Sequence, residues 1–169
     1  MSSFIPADFV VPDGLAHPQF SLRMLRETDT AADYEAVMAS AQRLRAGSPH
    51  GWPRPGFTLA ENREDLVRHE QEFLDRVAFA YTVLAPDGGR VLGCVYINPP
   101  ATPSEDGTPT ADVHLWVRDE HHPELTGTLF EAVDGWLASS WPFAQVRYVR
   151  TAYYQDSAAW KRASGNSQE

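Results

Sequence analysis

Asp112 and His114 stand two residues apart in a stretch where Ala111, Val113, Leu115 and Val117 alternate with Asp112, His114, Trp116 and Arg118. That alternation has the period of a β-strand, so the carboxylate and the imidazole share one face. An imidazole, with an ordinary pKa of about 6.5, is suited to moving protons at neutral pH. The other reading of the pair is two polar groups facing solvent on a half-exposed strand. The strand runs into a second candidate, the junction Arg118–Thr128. The first N–H groups of a helix lack partners and its dipole favours negative charge, so such junctions bind anions in open α/β folds. His121 and His122 offer no metal site: adjacent histidines point apart, and no Cys or carboxylate stands at a ligand spacing. Cys94, inside VLGCVYI, reads as a small core residue and not as a nucleophile. No G-x-S-x-G, Walker or Rossmann signature is present.

These groups must be positioned by a strand–helix–strand unit. From Leu125 the apolar period changes to that of a helix, with Leu125, Leu129, Val133, Trp136, Leu137 and Trp141 on one stripe. Pro142 ends it, and Gln145–Arg150 alternates as a strand again. One helix between two strands implies a parallel pair joined by a right-handed crossover. Upstream, Phe20–Leu25 reads as a strand. Thr30 caps a helix with Tyr34, Val37, Met38, Ala41 and Leu44 as its stripe. Gly47–Phe57 (GSPHGWPRPGF) is a rigid loop. Its His50 and Trp52 either shape a binding site or, for Trp52, pack the loop down. Thr58 and Glu61 form a capping box for a helix burying Leu66, Phe73, Leu74 and Val77. Phe79–Leu84 and Arg90–Ile97 make a hairpin about APDGGR, and Pro99–Pro109 is a polar loop. Asp156 caps a last helix that Gly165 ends. Residues 1–19, with Pro6, Pro12 and Pro18, read as an extended arm, and 20–169 as one domain. The order β-α-α-β-β-β-α-β-α describes an α+β fold around a mixed sheet.

Composition excludes several classes. The 169 residues carry a net charge of −9, with Asp+Glu 23 against Lys+Arg 14. That balance disfavours nucleic acid and anionic membrane, which need a basic face. No apolar run reaches the ~18 residues of a membrane span, and the N-terminus lacks the pattern of a signal peptide. A single cysteine suits a cytoplasmic location.

The element order, with a hairpin before the strand–helix–strand unit, resembles the GCN5-related N-acetyltransferase (GNAT) superfamily. FSLRMLRETDTAADYEAV is similar to its first strand and helix, RVLGCVYI to its third strand, and ADVHLWVRDEHHPELTGTLFEAVDGWL to its fourth strand and acyl-CoA-binding helix. The resemblance implies an acyl-CoA-dependent N-acyltransferase with acetyl-CoA as co-substrate and no metal. The acceptor is then an amine on a small molecule or a peptide N-terminus. It implies cofactor contacts along Trp116, Val117 and Arg118 and around Leu125, Thr126, Gly127 and Thr128. It places Asp112 at the fourth-strand acid, with His114 beside it, and leaves Tyr153 or Tyr154 to stand in for a tyrosine the family carries on the helix after its fifth strand. The family's Q/R-x-x-G-x-G/A pyrophosphate loop aligns with His121–Thr126, where Glu124 and Thr126 replace the glycines and Pro123 lacks an N–H. This departure, with the unmatched tyrosine, supports an alternative: a catalytically silent binding module of the same fold. The family's two closing strands would begin where GNSQE ends the chain, which leaves Gln145–Arg150 as a sheet edge and implies a homodimer that covers this edge or the arm 1–19.

Overall fold

The computed structural model describes residues 3–165. Six strands form one sheet in chain order: β1 (Gly14–His17), β2 (Phe20–Met24), β3 (Phe79–Leu84), β4 (Val91–Asn98), β5 (Thr110–Val117) and β6 (Gln145–Tyr148). All neighbours are antiparallel except β5 and β6, which run parallel as the crossover requires. The helices are α1 (Thr30–Ala39), α2 (Ala41–Gly47), α3 (Leu59–Leu74), α4 (Glu124–Ser140) and α5 (Ala158–Ala163). This is the α+β architecture expected from the pattern, with β1 added.

Register decides the two faces of the sheet. Tyr81, Val95 and Leu115 are cross-strand partners on one face, where Tyr81 meets Trp136 of α4 edge-on at 5.1 Å. Ala80, Tyr96 and His114 are partners on the other, beneath α1 and α3. All eight residues of β5 are buried. Apolar β5 residues therefore serve the core under α4, while Asp112, His114 and Trp116 are sealed on the opposite side.

The structure corrects several expectations. Gly14–His17, inside the stretch read as an arm, is a strand paired to β2. The rest of that stretch is tied down: Phe4 stacks on Phe143 at 5.2 Å, and Tyr81 Oη donates to the Pro12 carbonyl at 2.6 Å. The helix expected from Thr30 to Leu44 breaks at Ser40, because its backbone leaves the helical region (φ −124°, ψ 13°). The buried Ser40 hydroxyl accepts from Asp119 N at 3.0 Å. Leu74 and Val77 face solvent, since α3 ends at Leu74 before its stripe can return to the sheet. Ser157, not Asp156, caps α5: its side chain accepts from Trp160 N, and the shorter hydroxyl is buried where Asp156 stays outside. The Thr58–Glu61 capping box and the left-handed Gly165 (φ +72°) follow the sequence reading.

Candidate functional site

His114 carries the geometry from which the site is built. It lies on β5, 5% exposed, with its ring stacked on Tyr96 at 4.4 Å and 18°. Trp116, two residues on, donates Nε1–H to Tyr96 Oη at 3.2 Å. A cavity of about 590 Å³ opens over these three side chains. Its walls are Asp33 of α1, Asn62, Asp65 and His69 of α3, Trp52 and His50 of the proline-rich loop, and Arg150 and Tyr153 after β6. Trp52 also meets Phe57 edge-on at 6.0 Å and points Nε1 at Asp65 (3.4 Å). Trp52 thus packs the loop down and also lines the cavity.

Polar groups in this cavity are left without partners inside the protein. Among the described residues, His114 Nδ1, Tyr153 Oη and Asn62 Oδ1 are buried with no hydrogen bond, and all three belong to the cavity lining. Buried polar atoms are nearly always paired, so three orphans around one space mark it as a place for a polar ligand or water. Burial drives the His114 imidazole well below its ordinary pKa, with Arg150 and His69 adding to the effect, so the ring is neutral. His69 is pushed down to about 4, again chiefly by burial. Burial acts oppositely on Asp33, raised to about 6 although Asn62 Nδ2 donates to it at 2.9 Å.

Asp112 and Tyr154 do not reach this cavity. Asp112 Oδ1 takes Arg147 Nε at 2.8 Å across the parallel register, and Oδ2 takes the Ala101 N–H at 2.8 Å. Tyr154 Oη donates to the Val149 carbonyl at 2.5 Å, and its ring packs among Phe130, Tyr148 and Trp160. Of the sequence candidates, His50, Trp52, His114, Trp116 and Tyr153 converge. Asn62, Asp33, His69 and Arg150 join them from helices and loops that no periodicity links to β5.

The junction at the start of α4 has a different character. No side chain caps the helix there. Around the helix start, Thr126 Oγ1 bonds His122 Nδ1 at 2.8 Å, and Thr128 Oγ1 donates to the Glu124 carbonyl at 3.3 Å. Gly127 faces Ser157 and Ala159 of the α5 start, at ordinary van der Waals distance for an added methyl group. Leu125 and Thr128 line an open depression of about 510 Å³ together with Arg90, Glu120 and Glu124. Arg118 is turned away, its guanidinium held by Glu35 and by Glu120 (Nε to Oε1, 2.8 Å).

Between the cavity and the junction, β5 outruns β6. The last contact is Val149 N to the Val113 carbonyl at 2.9 Å, and beyond it the edge carbonyl of Val117 accepts from Arg43 Nη2. The same guanidinium donates from Nη1 to the Tyr153 carbonyl (3.1 Å) and from Nε to Asp119 (2.5 Å). Arg43 therefore bridges the gap where the two strands part. Among the described residues no group of three or more metal-ligating side chains comes together, and no helix is long and apolar enough to cross a membrane.

No family model and no curated protein matches the sequence. Solved structures do match the fold. RimL, a ribosomal α-N-protein acetyltransferase, superposes with a TM-score of 0.58 at 16% identity, over 73% of this chain and 63% of RimL. A ribosomal-protein alanine acetyltransferase from Vibrio fischeri gives 0.60 at 13% identity, over 73% and 66%. The microcin self-immunity acetyltransferase MccE, solved with acetyl-CoA and AMP, gives 0.62 at 11% identity, over 77% and 69%. The chain thus spans about two thirds of the length of these relatives. The sheet that holds His114 and parts beyond Val113 thus shares its fold with these acetyltransferase structures.

Proposed function

We propose that the protein is an acyl-CoA-dependent N-acyltransferase that moves an acetyl group from acetyl-CoA to a primary amine. One observation carries this reading: the unpartnered His114 Nδ1 and Tyr153 Oη face a single cavity beside the point where β5 and β6 part. In such a transfer the amine nitrogen bonds the thioester carbon, the carbon–sulfur bond breaks, and the nitrogen loses a proton while the sulfur gains one. In this reading neutral His114 accepts the amine proton, directly or through water, and the Tyr153 hydroxyl protonates the departing sulfur. Asp112, committed to Arg147 and Ala101, acts as a positioning residue that fixes the β5–β6 register.

For the co-substrate the fit is partial. The uncapped N–H groups of α4 suit a pyrophosphate, whereas Glu124 and Glu120 set negative charge beside it and Pro123 offers no N–H. Arg43 occupies the Val117 carbonyl on the β5 edge. That occupation favours a second reading, a silent module of the same fold that binds an amine without transferring acyl groups to it. Thiol release from acetyl-CoA, measured against a panel of amines and peptides, separates the two. Turnover that falls in His114→Ala and Tyr153→Phe supports the transferase, and amine binding without thiol release on any acceptor supports the silent module.

A further inference from the structure

Arg150 is the feature of the cavity that neither reading uses. It sits between β6 and the turn Thr151–Tyr153 with a left-handed backbone (φ +52°, ψ 44°), a conformation that is uncommon outside Gly, Asn and Asp. Its position is fixed from both sides, because Val149 N donates to Val113 and Tyr153 N donates to the Arg150 carbonyl at 3.1 Å. The side chain is half-buried and lines the cavity.

Other arginines of the region are engaged. Arg68 bridges Asp65 and Glu72, Arg147 holds Asp112, and Arg43 spends its whole fork on Val117, Tyr153 and Asp119. The Arg150 guanidinium, among the described residues, makes no ion pair and no hydrogen bond, in a chain with 23 Asp and Glu against 14 Lys and Arg. Half-burying a guanidinium without a partner is unfavourable, and a left-handed arginine adds to that cost. The carboxylates sharing the cavity are placed elsewhere: Asp33 bonds Asn62, Asp65 faces Trp52 and Arg68, and Glu72 faces Arg68 and His69. Across the same space, Asn62 Oδ1 and neutral His114 Nδ1 are buried without a partner, one an acceptor and the other able to accept. The cavity therefore has a fork of donors at Arg150 and vacant acceptors at Asn62 and His114.

We propose that the cavity selects an amine that also bears an anionic group, a carboxylate or a phosphate monoester, with the anion on Arg150 and the amine toward Asn62 and His114. Calling this ligand the acyl acceptor rests on the transferase reading; its binding does not. A planar guanidinium fits both anions bidentately, so the residue defines the class, and the rest of the wall defines the member.

The test is calorimetric titration of the protein without acetyl-CoA, using pairs that differ only in the anion: phenylalanine against phenylalaninamide, and phosphoethanolamine against ethanolamine. The expected result is that at least one anionic member binds roughly tenfold or more tighter than its partner, as loss of a charge-assisted pair implies. Which pair shows the preference tells carboxylate from phosphate. Arg150→Asn, whose side chain tolerates the left-handed backbone, should abolish the preference while leaving the melting temperature near that of the parent, and Arg150→Lys should keep part of it. Equal binding of both members in both pairs, no heat from either anionic probe at millimolar concentration, or a preference that survives Arg150→Asn each overturns the proposal. Thiol release run on the same probes keeps the two ideas apart. An anion preference without turnover rejects the transferase alone, and turnover on the uncharged members with no preference rejects the Arg150 assignment alone.

Discussion

Arg43 Nη2 donates to the carbonyl of Val117, joining α2 to the end of β5 at the place where β5 has no further partner in β6. A guanidinium on a strand carbonyl is a strong local bond, and this one also carries Tyr153 and Asp119. Arg43→Ala is expected to lower the stability of the free protein by about 1–3 kcal/mol, because it leaves two carbonyls unpaired. It also clears the strand edge. The melting-temperature rise on adding acetyl-CoA should be larger in the variant than in the parent, measured as liganded minus unliganded for each. A ligand at a hundredfold excess over its Kd stabilises by about 2.7 kcal/mol, which is several degrees for a domain of this size. Absence of any rise in both proteins would leave the silent module standing.

Asp112 faces Arg147 directly in the β5–β6 register, at 2.8 Å. Asp112→Ala removes a buried carboxylate that also holds Ala101 N–H, and should cost about 2–3 kcal/mol in chemical denaturation. The double variant Asp112→Ala/Arg147→Met should lose less than the sum of the single losses, by about 1 kcal/mol or more, as contacting residues do. If Asp112 itself carried the proton, Asp112→Asn would remove activity without touching stability.

Two histidines of the cavity, His114 and His69, give the protein a direction of pH sensitivity. His114 lies well below its ordinary pKa and His69 is near 4, while both would titrate at about 6.5 in the unfolded chain. The unfolded state therefore binds more protons once the pH drops below about 6.5, and folding stability falls from there toward pH 4. His69→Gln should flatten part of that slope in denaturation curves taken between these values. A slope unchanged by the substitution would place the sensitivity elsewhere. Activity that depends on neutral His114 should persist below pH 6.5, since the ring keeps its free base there.

Asp33 works with the opposite sign. Its carboxyl is raised from 3.8 to about 6 by burial, so the folded protein holds a proton that the unfolded chain has released between those values. Ionising it above pH 6 opposes folding by on the order of 2–3 kcal/mol. Asp33→Asn keeps an acceptor for Asn62 and removes this charge, so the variant should gain on the parent as pH rises from about 4 to 7. Equal pH dependence in the two proteins would count against the raised pKa.

The residues by themselves determined the elements that hold the site. Alternation from Ala111 to Val117 identifies β5, the helical stripe from Leu125 to Leu137 identifies α4 (Trp141, expected on that stripe, lies just past its end in extended backbone), and Thr58 with Glu61 marks the start of α3. These are local patterns, each read from the period of side chains along one segment. From them follow the parallel β5–β6 pair and the layered sheet, because a helix between two strands leaves few other connections. The roles of side chains within those elements were decided only in three dimensions. Asp112 and His114 share one strand face and look alike in sequence, yet Arg147 takes one and the cavity takes the other. Tyr153 and Tyr154 are adjacent, and the turn after Arg150 sends one ring into the cavity and the other under Trp160. Asn62, His69, Arg43 and Arg150 meet the site from segments up to scores of residues away, through contacts with no periodic signature. A strand's period says which face a residue takes; partners brought by distant segments decide what that residue can do there.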